Sequence, residues 1–163
     1  VKPGEIGELF SFGPCADGYY KLEKETKEAF RDGWFSAGDM AMMDEEGYFY
    51  IVDRKKDMII SGGENIYPVE IEEVLSKHPA VYEAAVIGIP NELWGEQVHA
   101  LIVLKPGANV SGEEIIEYSR TKLAGYKIPR SVEFVEDLPK NPTGKILKRI
   151  LREKYWKTAE RNI

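Results

Sequence analysis

The sequence predicts an α+β chain: a β-rich stretch leads into a small domain in which a short, mostly antiparallel sheet is packed by helices. Three observations predict it. Runs of aromatic and β-branched residues, punctuated by turns, fill positions 1–53. Two clear helix starts follow, one with proline at its first position and one with a capping box. Apolar runs of strand length alternate with those helices.

The elements follow in order. Gly7-Glu8-Leu9-Phe10-Ser11-Phe12-Gly13 alternates apolar with other residues, the period of a half-buried strand. Glu25 to Phe30 fits a short helical turn. Asp44-Glu45-Glu46-Gly47 is a turn ahead of a strand at Tyr48-Phe49-Tyr50-Ile51-Val52. Five consecutive charges, Asp53 to Asp57, then interrupt the apolar pattern. Apolar residues resume at Met58-Ile59-Ile60, and Ser61-Gly62-Gly63 turns the chain. A hairpin is the simplest reading, with the charge cluster either its solvated edge or a domain boundary. Pro68 suits a first helical position, with Glu70, Glu72 and Glu73 in the opening turns and Ile71, Val74 and Leu75 along one face. His78-Pro79 ends that helix. Val81 to Ile89 and Gln97 to Leu104 read as strands. Ser111 with Glu114 opens a helix whose Ile115, Ile116 and Leu123 face inward. Val132 to Val135 is a third strand, and Ile146, Leu147, Ile150 and Leu151 give the last helix an apolar stripe.

At 163 residues the chain holds one domain with extensions, or one domain and part of another. Its 43% hydrophobic and 31% charged residues are the balance of an ordinary globular protein rather than a disordered one. A net charge of −6 argues against a general nucleic-acid binder. Lys145, Lys148, Arg149, Arg152 and Lys154 cluster near the end and read as a solvated helix face. The single cysteine, Cys15, suits a reducing compartment, and the expected location is cytoplasmic. No apolar run approaches a transmembrane length, and no signal-peptide pattern opens the chain. The first residues, from Val1, read as mid-domain, so a fragment of a longer protein is expected.

The richest chemical signal is Pro139-Lys140-Asn141-Pro142-Thr143-Gly144-Lys145-Ile146-Leu147-Lys148. A loop of this kind continues neither helix nor strand, and it holds a lysine out from the domain. That ammonium suits a phosphate or carboxylate oxygen; the plain alternative is a turn before a basic helix. The run is not a P-loop, which needs glycine where Pro139 stands and serine or threonine where Ile146 stands. Asp39 follows Gly38 and is acceptor-only when ionised, able to take both hydroxyls of a ribose or to close an Asx-type turn. The planar fork of Arg54 suits ribose or phosphate oxygens, or it is an exposed edge residue. Gly62 and Gly63 let a backbone approach a ligand closely, or simply make a hairpin turn.

Taken in order, these segments resemble the carboxy-terminal part of the adenylate-forming enzymes, most of all the AMP-forming acyl-CoA synthetases. The carriers are Gly7-Glu8-Leu9, Gly33-Trp34-Phe35-Ser36-Ala37-Gly38-Asp39, Asp53 to Asp57, Ser61 to Glu72, and Pro139 to Lys148. The resemblance implies a two-step reaction. ATP and a small-molecule carboxylic acid, expected to be a fatty acid, give acyl-AMP and pyrophosphate; coenzyme A thiolate then displaces AMP. It also implies a small domain that swings between two poses on a larger one. Residues 1–54 would be the β-rich tail of the large domain, 55–57 the hinge and 58–163 the mobile domain. Lys145 would be the catalytic lysine of adenylation. Asp39 and Arg54 would bind the nucleotide, and Lys56 would be the hinge residue. Gly62, Gly63, Trp94, Tyr126, Lys127 and Arg130 would meet coenzyme A. Mg²⁺ would be held by residues upstream of this chain, with no metal site expected in it. The family usually carries threonine where this chain has Ala37, and many members carry arginine or glutamine where it has Asn65.

Two other readings fit the same fold: an enzyme that activates amino acids or loads a carrier protein, and a non-catalytic module. Gly62 to Glu72 is closer to the acyl-CoA branch, and the presence of both Asp39 and Lys145 argues against a module. By itself the piece is expected to be inactive, to bind no nucleic acid, and to self-associate through residues 1–53.

Overall fold

The computed structural model describes residues 1–14 and 16–156, so Cys15 and the last seven residues of the expected mobile domain lie outside the described residues. The chain divides into two compact units, with the break between Lys56 and Asp57, inside the charge cluster.

The first unit contains β1 (Ile6–Glu8), β2 (Ser11–Phe12), α1 (Glu23–Ala29), β3 (Phe30–Arg31), β4 (Trp34–Phe35), β5 (Asp39–Met43) and β6 (Phe49–Arg54). They form two three-stranded antiparallel sheets, ordered β1-β5-β6 and β2-β4-β3. The alternating run 7–13 is therefore two strands rather than one. It breaks at Leu9-Phe10, where the Leu9 amide makes a last bond to the Asp39 carbonyl (2.8 Å) before the chain joins the other sheet. Alternation shows that a segment is extended and cannot show that it changes partners. Asp44 builds the next turn, its Oδ1 accepting from the amides of Tyr48 (2.9 Å) and Glu46 (3.0 Å). Those bonds, with one from the Tyr50 hydroxyl, hold its carboxyl below the usual range.

The charges do not end the strand that follows. β6 runs on through Asp53, which is buried with its Oδ1 accepting from the Arg54 amide (2.7 Å), and Arg54. Only Lys55–Asp57 leaves it, as one 3₁₀ turn. Phe49, Tyr50 and Ile51 are each more than half exposed. Successive strand residues point to opposite faces, so the first half of β6 is uncovered on both sides.

The second unit contains β7 (Ile59–Ser61), β8 (Glu64–Ile66), α2 (Pro68–Ser76), β9 (Val81–Asn91), β10 (Gly95–Leu104), α3 (Gly112–Arg120), β11 (Ser131–Phe134) and α4 (Lys148–Glu153). β10 is its axis: antiparallel to β9 along its length, antiparallel to β7 at Gly95, and parallel to β11. The sheet is thus mostly antiparallel, as expected. Pro68 stands at the start of α2, whose Ile71 and Leu75, one turn apart, are fully buried. Ser111 and Glu114 complete a reciprocal capping box on α3. These helices supply one core, in which Ile71, Leu75 and Ile115 meet Ile59, Ile66, Val86, Val98 and Ile102. A second core forms from Ala85, Ile87, Leu101, Val103 and Leu138, against which Ile146, Leu151 and Tyr155 pack. The parallel register of β10 and β11 sets His99 opposite Ser131. The buried imidazole lies between the Ser131 hydroxyl (2.8 Å) and the Tyr155 hydroxyl (3.0 Å), and burial holds its pKa below the usual value.

Two expectations for the end of the chain are corrected. The last helix starts only at Lys148; Ile146 instead makes an isolated bridge to Lys140, and Ile150 is exposed, so within the helix only Leu151 of the stripe packs on the second core, which Ile146 joins from the loop. The basic cluster is not a solvated face throughout. Lys148 pairs with Glu72 (2.8 Å) and Arg152 with Asp57 (2.9 Å), all four side chains largely buried. An acidic partner distant in sequence turns a basic helical face into a docking face, and nothing within the helix announces it. Among the described residues no helix is long and apolar enough to cross a membrane.

Candidate functional site

Candidate residues occur in both units. In the first, strand register makes Asp39 and Arg54 direct partners across β5 and β6. The Arg54 Nε lies 3.8 Å from Asp39 Oδ1, and half of the arginine side chain is exposed. A pair this loose and open adds little stability, and both groups keep hydrogen-bonding capacity for oxygen-rich ligands. A set of residues that the sequence reading missed supports Asp39. The buried Ser36 hydroxyl accepts from the Gly38 amide (3.0 Å) and donates to Glu8 (2.8 Å), whose other oxygen takes the Lys55 ammonium (2.8 Å). The Lys55 amide in turn donates to the Gly38 carbonyl (2.8 Å). Burial alone would raise the Glu8 pKa, but Lys55 and Ser36 outweigh it and hold the carboxyl low. The turn that presents Asp39 is thereby fastened on both sides.

In the second unit, Gly62 and Gly63 link β7 to β8 with φ of +61° and +87°. Positive φ at both positions is what a two-residue type I′ hairpin turn requires. Gly62 is also needed for space, because a Cβ there would stand 2.7 Å from Cε3 of Trp94. The Gly62 amide donates to the Trp94 carbonyl (2.9 Å), and Asn91 Oδ1 accepts from the Leu93 and Trp94 amides (3.0 Å each). The Arg130 guanidinium lies over the indole, 5.1 Å from the ring centroid. Gly62, Trp94 and Arg130, far apart in sequence, therefore form one surface, with Gly63 open beside it. Lys127 is engaged otherwise, as Glu70 on α2 holds its ammonium at 2.6 Å. Burial pulls the Lys127 pKa down, but Glu70 outweighs it and the net shift is upward. The ring of Tyr126 is half-exposed beside it.

Lys145 sits on an excursion of the chain that is bonded to itself. Leu147 N donates to the Pro139 carbonyl (2.7 Å), Asn141 N to the Lys145 carbonyl (2.9 Å) and Gly144 N to the Asn141 carbonyl (2.9 Å). At the centre, Asn141 Oδ1 accepts from the amide (3.0 Å) and hydroxyl (2.8 Å) of Thr143 and from the amide of Lys145 (2.8 Å). The Lys145 side chain is exposed, and among the described residues its ammonium has no ion pair. The role of Asn141 is also one that the sequence reading missed. Its signal was local, an asparagine ahead of Pro-Thr-Gly being a natural Asx-turn residue. Asn141→Ala removes all three acceptor bonds at once. It is expected to leave the melting temperature nearly unchanged, to speed hydrogen exchange at the Lys145 amide, and to slow any reaction that uses the ammonium by about 10-fold to 10²-fold. Asn141→Asp keeps the acceptor oxygen and should recover most of the loss. Equal exchange at Lys145 in native and alanine proteins would show that Asn141 does not organise the loop.

Among the described residues, no three His, Cys, Asp or Glu side chains are grouped to hold a metal ion.

Residues 70–145 match the family of AMP-binding enzyme C-terminal domains. The chain is 50% identical over 156 residues to a feruloyl-CoA synthase of an Amycolatopsis species, an alignment covering 95% of this chain and 32% of the relative. It is 54% identical over 141 residues to the long-chain-fatty-acid–CoA ligase FadD13 of Mycobacterium tuberculosis, covering 86% of this chain and 28% of that one. Among solved structures, ATP-bound MatB from Rhodopseudomonas palustris superposes with a TM-score of 0.88 at 41% identity, over 95% of this chain and 31% of that one. The chain thus spans less than a third of the length of these relatives.

Proposed function

Starting from its membership of the adenylate-forming enzymes, whose AMP-binding C-terminal domain it carries, we propose that this chain is the C-terminal part of an AMP-forming acyl-CoA synthetase. The whole enzyme joins a carboxylic acid to ATP as acyl-AMP with loss of pyrophosphate, and coenzyme A thiolate then displaces AMP. The observation that carries this reading is the Lys145 loop: an ammonium held out, unpaired among the described residues, on a backbone bonded to itself. As the acid attacks the α-phosphate, negative charge gathers on carboxylate and phosphate oxygens, where a positioned cation lowers the barrier most. Asp39 accepts the ribose hydroxyls, and the Arg54 fork lies beside it for ribose or phosphate oxygens. The open surface of Gly62, Gly63, Trp94 and Arg130 receives coenzyme A: glycine lets the pantetheine chain pass close to the backbone, and the stacked Arg130 offers a cation to its phosphates. Lys56 is the pivot that exchanges one arrangement for the other.

The acid is proposed to be a fatty acid; the feruloyl-CoA synthase and the fatty-acid ligase among the relatives make an aryl acid the competing substrate class. Mg²⁺ is assigned to the upstream part of the enzyme and the location to the cytoplasm. The test is to give the full-length protein ATP, coenzyme A and a panel of fatty, aryl and amino acids, and to weigh the products. A fatty acyl-CoA with AMP is the expected outcome. An aminoacyl-AMP that is not passed on to coenzyme A, or no product from any acid, would overturn it.

The piece alone carries its own prediction. Phe12, Tyr48, Phe49, Tyr50 and Ile51 are 52–70% exposed, and β1 and β6 are open sheet edges. Uncovered apolar strands recruit other chains. Light scattering of residues 1–163 should give a mass that rises above the monomer with concentration, and ATP binding should be weak. A monomer at high concentration would refute the first expectation.

A further inference from the structure

The Arg152–Asp57 pair joins the two places on which the proposed mechanism depends, and it follows from no step of that mechanism. Asp57 is the first residue of the second unit, directly after Lys56. Both terminal nitrogens of Arg152 donate to its Oδ1 at 2.9 Å, across 95 residues of sequence. The two side chains are only 11% and 14% exposed. Arg152 lies on α4, which begins three residues after Lys145 and closes the loop that bears it.

A six-residue helix has no stability of its own, so its placement is set by its anchors. Leu151 and Tyr155 bury themselves against the second core, and these contacts hold the helix down. Apolar contacts do not fix its angle well, since they are non-directional. Two ion pairs one turn apart do fix it: Lys148 to Glu72, and Arg152 to Asp57. A buried pair is rarely the most stabilising choice for such a position, and its best-attested use is to specify one geometry. On the other side of Lys56, Lys55 is held by Glu8 and the Gly38 carbonyl within the first unit. Residue 56 thus stands between one residue fastened to the nucleotide-side turn and another fastened to the helix of the lysine loop.

We infer that Arg152 is a positioning residue for Lys145: through Asp57 it couples the orientation of the lysine loop directly to the pivot, so that rotation at residue 56 carries the ammonium with it. The inference rests on the proposed roles of Lys145 and Lys56, and it assigns Arg152 no contact with substrate.

The test uses the full-length enzyme and measures two half-reactions, acyl-AMP formation and thioester formation from supplied acyl-AMP. Arg152→Gln and Asp57→Asn should each slow adenylation by about 10-fold to 10²-fold, the size of a small misplacement, while changing thioester formation by less than about 2-fold. The double variant should be no slower than either single one, because both remove the same coupling. Arg152→Lys, which keeps the charge and loses the fork, should recover part of the rate. In that variant the Gly144, Lys145 and Leu147 amides should exchange faster with the melting temperature unchanged. Equal losses in both half-reactions, multiplying effects of the single variants, or unchanged exchange in Arg152→Lys would each overturn the inference. Lys145→Ala is run alongside. If it too slows both half-reactions equally, the reading of Lys145 itself has failed; if it is selective and Arg152→Gln is not, only the coupling is wrong.

Discussion

Replacing Lys145 by alanine in the full-length enzyme is expected to slow acyl-AMP formation by about 10²-fold to 10³-fold, the cost of removing one well-placed partner of a developing oxyanion. The ammonium has no ion pair among the described residues, and its loop is bonded internally. The substitution therefore leaves no buried charge behind and should not disturb folding. Thioester formation from supplied acyl-AMP should change far less, since on the proposed two-pose reading the loop would have swung away. Acetylation of Lys145 removes the charge and should act in the same direction. Rapid mixing with labelled ATP separates the two steps, and equal losses in both would sink the assignment of two poses.

The second large effect is expected at Lys56, from its backbone. It occupies the middle of the 3₁₀ turn Lys55–Asp57, with an exposed side chain. Proline there would fix φ near −65° and restrict Lys55 as well, just where the proposed pivot would need two conformations. Lys56→Pro should leave adenylation largely intact and slow thioester formation by about 10²-fold or more, since a reactant held out of place costs at least that much. Lys56→Ala, which keeps ordinary backbone freedom, should cost far less in either step. Alanine as damaging as proline, measured on the separate half-reactions, would mean that the side chain acts and that the pivot lies elsewhere.

How much of this was legible in the sequence differs by element. α2 announced itself through Pro68 and the spacing of Ile71 and Leu75, and α3 through Ser111 and Glu114, because helix starts are written within a few residues. β9 and β10 were legible as apolar runs of strand length. The break between β1 and β2 was not, because a change of sheet leaves the alternation intact. The candidate site shows the same division. Asp39, Arg54, Gly62 and Lys145 were visible as residue types on loops or strand ends. Their neighbours were not: the Asp39–Arg54 register, the Trp94 ring over Gly62 and the Arg130 stack are products of folding. Arg152 was misjudged for the same reason, since only the fold brings Asp57 to it.

The loop from Pro139 to Leu147 has an entropic consequence. Its backbone bonds and the three accepted by Asn141 mean that most of its main-chain freedom is already lost before any ligand arrives. An unstructured arm of similar length would give up about 1–2 kcal/mol for each residue ordered on engagement. Here what remains to be frozen is mainly the lysine's own side chain, about 1.5–2 kcal/mol. This exposed Pro/Gly segment thus behaves as a stiff arm with one supple finger, which on the proposed reading would engage and release a ligand without folding or unfolding anything.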